Sequence, residues 1–328
     1  MDLASVFGEP LVDLGVATPA FEGIYTPESF HGATKVGVTA QFLENAEQYH
    51  KSYFDTGYWN FLLGNAFAAA GNPDAPKRII DIGSGSGNSV IPLADRFPNA
   101  EIVATDISPQ LLAILRDFLC RRSDGGERFG LVCVDAMAAR YQPAVADLAV
   151  GAAILHHILE PKRVLASCFQ ALAPGGWAIF FEPFEAGNAL LKFTYRRILA
   201  QASAAERLAP GLRFIQRMVE DYQRRELPAD AAIYRELDDK WMFTRTYFDR
   251  VRGEQGWSEM ITYALNVSPT GLRDQAAVHL RLGTGLAPDA IPAWAWSIVD
   301  ETDASLSADL RRELAQEAAV LLRKPTRR

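Results

Sequence analysis

The 328-residue chain is short of cysteine, of positive charge in runs, and of long apolar stretches. Its three cysteines, Cys120, Cys133 and Cys168, are odd in number and scattered. None stands in a Cys-x-x-Cys pair or at Cys/His ligand spacing, so neither a disulfide framework nor a metal site is predicted. No run of 18 uncharged apolar residues occurs, so no transmembrane helix is expected. The first residues lack a basic segment followed by an apolar core; no signal peptide is predicted, and a cytoplasmic location is the expectation. Net charge is −7, and only Arg323 to Arg328 concentrates positive charge. Such a surface has no general field for polyanions, so neither nucleic acid nor membrane is expected as a partner. Internal repeats and low-complexity tracts are also missing.

What is present is an ordinary globular composition, 49% hydrophobic and 22% charged. The length is long for one domain and short for two. The most informative stretch is Arg78 to Asn88, Arg-Ile-Ile-Asp-Ile-Gly-Ser-Gly-Ser-Gly-Asn. Its isoleucines read as a buried strand that breaks into a turn at Gly83, Gly85 and Gly87. Glycine tolerates positive φ and has no Cβ, so the backbone of such a turn can approach a ligand closely. Helical spacing follows from Asn88 to Arg96. Strand, glycine loop and helix make a nucleotide-cofactor pocket. The dinucleotide fingerprint needs a third glycine at residue 88 or 90, where Asn88 and Val90 stand, so a nicotinamide oxidoreductase is disfavoured. A second strand, Glu101 to Asp106, ends in an acid that could accept ribose hydroxyls. Ser108 and Pro109 then start a helix, Ser as cap and Pro at the first position.

Asp81-x-Gly83-x-Gly85-x-Gly87 resembles motif I of the class I S-adenosylmethionine (SAM)-dependent methyltransferases. Three more strands follow in that family's order: Leu131–Val134 with Asp135 and Ala136, Asp147–Val150 with Gly151 to His157, and Trp177–Glu182 after a Pro-Gly-Gly turn. The segment from Leu155 to Gly176 is similar to the corresponding part of many small-molecule methyltransferases. The resemblance covers residues 78–182 well and the flanks loosely. It implies an α/β, Rossmann-like, seven-stranded and mostly parallel sheet in the order 3-2-1-4-5-7-6, with strand 7 antiparallel. It implies SAM as cofactor and S-adenosylhomocysteine as product. The implied contacts are Asp81, Gly83, Ser84, Gly85 and Gly87 along the methionine moiety and ribose, Asp106 on the ribose, and Ile107 on adenine. Asp135 and Ala136 would meet the adenine edge, and the Gly151 carbonyl the methionine amino group.

The flanks suggest helices around this core. Residues 1–75 read as a loosely structured arm (1–37) and an aromatic helical lid, 76–187 as the SAM-binding core, and 188–240 as a wholly helical insertion broken near Pro210. Residues 241–267 supply a core helix and strand 6, 268–316 a second helical insertion, and 317–328 strand 7 and a tail. Insertions there could roof the crevice or form a homodimer interface.

Methyl transfer to a hydroxyl needs the nucleophile aligned and its proton removed. His156 follows strand 4, and Glu182, at the end of strand 5, could orient it; some small-molecule O-methyltransferases that this segment resembles use a His and an acid there. His157 is the second candidate. A structural helix-start histidine and a plain strand-end acid are the alternatives. Tyr49 and Tyr53 could close over the methionine carboxylate or pack the lid. Tyr53, Tyr58, Trp59 and Phe184 could line an acceptor pocket or pack the roof. The predicted function is methyl transfer from SAM to a small-molecule acceptor, with oxygen favoured over nitrogen. A non-methyl-transfer SAM reaction (cyclisation or elimination) and a non-catalytic SAM-binding module stay open. A base-modifying enzyme is disfavoured, because Gly151-Ala-Ala-Ile154 replaces the Asn/Asp-Pro-Pro-aromatic motif.

Overall fold

The computed structural model describes residues 1–33, 40–122, 126–228 and 230–326. Nine strands form one sheet: β1 Leu11–Asp13, β2 Ile24–Pro27, β3 Arg78–Ile82, β4 Glu101–Asp106, β5 Phe129–Cys133, β6 Ala146–Ala152, β7 Leu172–Pro183, β8 Glu259–Ala264 and β9 Glu317–Arg323. Their order is β1-β2-β5-β4-β3-β6-β7-β9-β8. From β2 to β7 every neighbouring pair is parallel. β9 runs antiparallel to both β7 and β8, and β1 antiparallel to β2.

The expected count of seven strands, and with it the full order, is corrected by the N-terminal residues. They do not form a loose arm: β1 and β2 make a hairpin that extends the sheet beyond β5. Ile24 is wholly buried beside Leu131, and the Thr26 hydroxyl donates to the Cys133 carbonyl at 2.8 Å. Strands of three or four residues show too few alternations to be read by period. The seven strands recognised in the sequence keep the relative positions β5-β4-β3-β6-β7-β9-β8.

Central parallel strands are covered on both faces, so their residues are almost uniformly apolar and alternate between two cores. Ile80, Val103 and Phe180 enter one; Ile79, Ile102 and Ile179 enter the other. Helices Pro161–Ala171 and Arg245–Gln255 cover the first through Val164, Leu165, Phe248 and Val251. Helices Thr56–Ala69, Val90–Arg96 and Pro109–Leu119 cover the second through Leu62, Leu93 and Leu112. The Ser108 hydroxyl caps the last of these, accepting from the Leu111 amide at 3.2 Å.

The two insertions share a third core of their own, built from Tyr195, Leu212, Ile215, Leu272 and Trp296. It joins helices Glu185–Gln201, Pro210–Arg224, Gly271–Thr284 and Ala293–Ser305. The expected helicity from the break near Pro210 to residue 240 is observed only as far as Arg224. Past Arg224 the described chain holds turns and one 3-10 stretch, Ala232–Arg235. Pro228 explains the stop, because proline lacks an amide donor and disfavours helix in the preceding residue. This non-helical stretch carries Asp238 and Asp239 back toward the sheet, where the Lys240 amide donates to the His156 carbonyl at 2.7 Å. Among the described residues no helix is long and apolar enough to cross a membrane.

Candidate functional site

A cleft opens at the C-terminal ends of β3, β4, β5 and β6, where open α/β sheets hold ligands. Its main lobe encloses about 830 Å³, mouth included, and a smaller lobe of about 340 Å³ adjoins it. The glycine loop forms the floor between them. The Gly83 and Ser84 amides donate to the Thr105 carbonyl at 2.8 and 2.9 Å, which ties the loop to β4. Gly83, Gly85 and Gly87 all have positive φ, of 69°, 52° and 108°. A Cβ on Gly83 would stand 2.6 Å from Ile154, and one on Gly87 2.6 Å from Leu115. A Cβ on Gly85 would meet no protein atom within 4 Å, and Gly85 lines both lobes. Gly83 and Gly87 are therefore required by packing as well as by φ; Gly85 keeps the cleft clear.

Asp81 lies beneath this loop with no surface exposed, and neither carboxylate oxygen has a hydrogen-bond partner. Burial pushes its pKa up to about 6; the nearby Ser89 and Ser84 hydroxyls temper the shift and the negative Asp106 adds to it. Neither serine reaches a carboxylate oxygen in hydrogen-bond geometry: the Ser84 hydroxyl donates instead to the Asp81 carbonyl at 3.1 Å. A buried carboxylate without a partner is costly, and a cation held above the loop, directly or through water, would relieve it. The ammonium of a SAM methionine moiety fits that need.

Asp106 lines the main lobe, its oxygens accepting the Gly85 and Ser108 amides at 2.8 Å each. Ile107, Asp135 and Ala136 line the same lobe, with Asp135 accepting the Met137 amide at 2.8 Å. Ser84 lines the smaller lobe. Gly87 stands outside both, against Leu115. Gly151 is also off the cleft surface: a Cβ there would meet Phe180 at 2.4 Å, and Ala152 and Ala153 form the wall instead.

The N-terminal helix Ala46–Tyr53 lies over the smaller lobe. Tyr49 faces both lobes and Tyr53 the smaller one; their rings sit 4.8 Å apart. Sequence reasoning overlooked His50, whose Nδ1 lies 2.8 Å from the Ser86 hydroxyl. Asn88 completes the clasp: its side chain accepts from the Asp55 amide at 2.9 Å and donates to the Tyr53 carbonyl at 3.0 Å. Tyr58, Trp59 and Phe184 do not reach the cleft. Tyr58 is 45% exposed, Trp59 packs edge-on against Phe181, and Phe184 stacks on Phe248 within the core. Their helical or strand-end positions turn them to the sheet or to solvent, which aromatic content alone could not disclose.

The predicted contact between His156 and Glu182 does form. The Glu182 carboxylate accepts the Ile154, Leu155 and His156 amides at 3.1, 2.8 and 3.1 Å, and meets His156 Nδ1 at 2.7 Å. It thus holds the whole turn after β6 as well as the ring. Burial alone would lower the His156 pKa; the Glu182 charge and hydrogen bond, with Asp239, outweigh it and raise the pKa. His157, not His156, lines the cleft. Burial and the neighbouring His156 hold the His157 pKa down to about 3, so this ring is neutral. Its Nδ1 bonds the Asp238 carbonyl at 3.0 Å. Asp239 reaches both rings, with Oδ1 3.6 Å from His156 Nε2 and 3.4 Å from His157 Nδ1. Arg225 bridges Asp239 and Asp221 from behind. Asp238, Asp239 and Arg225 were not foreseen, because 68 to 83 positions of sequence, the first insertion among them, separate them from the His pair.

Residues 80–178 match the family described as "Methyltransferase domain". The chain is 29% identical over 130 residues to a demethylmenaquinone methyltransferase of Thermus thermophilus, covering 38% of this chain and 57% of that protein. It is 38% identical over 104 residues to a trans-aconitate 2-methyltransferase of Variovorax paradoxus, covering 32% of this chain and 37% of that protein. The match thus spans well under two thirds of either relative. In fold, it is similar to a Haemonchus contortus phosphoethanolamine N-methyltransferase 2 solved with SAM, with a TM-score of 0.53 at 15% identity over 91% of this chain and 60% of the other. The domain match starts within β3, directly before the glycine loop, and ends within β7, so the cleft and the matched residues coincide: the chain carries a methyltransferase domain over residues 80–178.

Proposed function

We propose that this chain is an enzyme that transfers the methyl group of SAM to a small-molecule acceptor, with a hydroxyl oxygen as nucleophile. The carrying observation is the buried, partnerless Asp81 carboxylate under a glycine loop whose Gly85 borders open cleft, into which a Cβ would project. Bound SAM supplies a methyl group already activated on a sulfonium. The chain's own work is alignment and proton removal. Gly83 to Gly85 admit the methionine and ribose portions, Asp106 accepts ribose hydroxyls, and Asp135 meets the adenine edge. His156 takes the acceptor's proton while Glu182 holds its ring and stabilises the charged form. Asp239 Oδ1 stands 3.6 Å from His156 Nε2, and His157 is the histidine that lines the cleft, so the acceptor approaches along the His157 wall.

The helix Ala46–Tyr53 covers the smaller lobe and Asp238 of the first insertion reaches the main one, excluding water and strengthening the electrostatics inside. The relatives' printed names, for demethylmenaquinone and trans-aconitate, support a small acceptor over a macromolecule. Parallel calorimetric titrations with SAM, S-adenosylhomocysteine and NAD test the reading. Micromolar binding of the two sulfur compounds without NAD is expected; binding of NAD alone would overturn it. Turnover is then sought with hydroxylated small molecules against SAM consumption.

A further inference from the structure

Beside the cleft, two histidines and a carboxylate converge in a way that proton transfer alone does not require. The donor atoms of His156, His157 and Asp239 all lie within 4.8 Å of one another. Asp239 Oδ1 is 3.6 Å from His156 Nε2 and 3.4 Å from His157 Nδ1. Ligands at about 2.0–2.1 Å from a tetrahedral cation stand about 3.4 Å apart, so both spacings are those of atoms sharing one ion. We propose that His156 Nε2, His157 Nδ1 and Asp239 Oδ1 form a binding site for a divalent cation of the Zn²⁺ type.

The groups behind the three donors favour this reading. Histidine ligands normally direct their other ring nitrogen at a carboxylate or carbonyl, and ligating carboxylates are themselves hydrogen-bonded. His156 Nδ1 meets Glu182 at 2.7 Å, and Glu182 is fixed by three backbone amides. The far oxygen of Asp239 accepts from Arg225 at 3.1 Å, leaving Oδ1 turned to the histidines. Two of the three ligands are therefore aimed before any ion arrives. His157 Nδ1 bonds the Asp238 carbonyl at 3.0 Å, so ion binding breaks that hydrogen bond and leaves the ring's single proton on Nε2. Two imidazoles and one carboxylate suit Zn²⁺ and its first-row neighbours better than Mg²⁺ or Ca²⁺. Three protein ligands leave a fourth position, and the cleft wall at His157 and Asp238 lies beside it. Asp239 keeps 40% of its side-chain surface open, which provides the way in.

Occupancy uses the His156 Nε2 lone pair that the proposed proton transfer needs. The cation is thus an inhibitor of that step, competing with the acceptor's proton for one nitrogen. Binding itself involves no SAM, so failure of this site leaves the methyl-transfer reading intact, and the reverse holds.

The test uses the full chain stripped with chelator and titrated with Zn²⁺ in a calorimeter, with Co²⁺ as a spectroscopic probe. One equivalent per chain is expected. His157→Ala and Asp239→Asn should each weaken binding at least about tenfold, and Glu182→Gln by roughly 10–100-fold through loss of ring orientation. Cys120→Ser, which removes the exposed thiol, should leave affinity unchanged. Circular dichroism shows whether each variant is folded. Should the variants fail to fold, the wild-type Co²⁺ spectrum decides alone. Intense visible absorption of a low-coordinate site supports the proposal, and the pale spectrum of the hydrated ion overturns it. Equal Zn²⁺ affinity in wild type and folded Asp239→Asn would overturn it as well, as would loss of binding in Cys120→Ser.

Discussion

Replacing Asp81 by Asn removes the one buried ionisable group that the glycine loop leaves without a partner. In the folded chain the Asp81 pKa is raised from 3.8 to about 6. The folded state then binds a proton more tightly than the unfolded state. Stability is full below about pH 4 and is lost as pH rises through 6. A shift of about two units at about 1.4 kcal/mol each makes the loss about 3 kcal/mol by pH 7.5. Asn cannot ionise, so the variant does not suffer this loss. Urea unfolding of both proteins at pH 4.5, 5.5, 6.5 and 7.5 should show the variant gaining steadily on wild type, with the gap growing mainly between pH 4.5 and 6.5. A bound cation should reverse the shift. SAM binding near pH 6 is then expected to release part of a proton, visible as calorimetric heats that depend on the buffer's ionisation enthalpy. SAM affinity should fall toward tenfold per pH unit below 6, and Asp81→Asn should bind weakly at every pH. A stability gap that does not change with pH, together with buffer-independent binding heats, would refute both the raised pKa and the role assigned to Asp81.

Five further outcomes follow from the same geometry. Gly83→Ala should lose both stability and SAM binding, since a Cβ there meets Ile154 at 2.6 Å with φ at +69°. Gly85→Ala should cost only the roughly 1–2 kcal/mol of the left-handed backbone, while still weakening SAM in titration, because its Cβ enters open cleft. His156→Ala should lower turnover by about 10²–10⁴-fold with SAM affinity kept, and full turnover in that variant would end its assignment as proton acceptor. Glu182→Ala should lose turnover and also unfold at lower denaturant, because three backbone amides lose their acceptor at about 1–3 kcal/mol each. Asn88→Ala opens the clasp on Tyr53 and Asp55; hydrogen exchange in Ala46–Tyr53 should accelerate while the central strands stay protected.

The core strands were legible because each satisfies its own requirements locally. Ile79, Ile80 and Ile82 are apolar on both faces, Gly83 and Gly85 need positive φ, and Ser108 with Pro109 starts a helix within four residues. The His156–Glu182 pair was legible for a related reason: both sit at the ends of adjacent parallel strands, so the sheet's register brings them together. The floor of the cleft therefore follows largely from residues 78–136, which carry the glycine loop and the three strands beside it.

The rest was decided by distant contacts. β1 and β2 are too short to show a period and are held by Ile24 and Thr26 against β5, about a hundred residues away. Tyr58, Trp59 and Phe184 carry the aromatic character of a pocket wall, yet helix phase and strand position send them elsewhere. Arg225 and Asp239 become neighbours of His156 only because Pro228 ends helical structure and the returning chain bonds the His156 carbonyl through Lys240. Short-range sterics and burial pattern determined the glycine loop and the sheet that carries it. Which charged groups face the reacting end depended on where a long insertion closed, and only packing of the third core against the sheet decides that.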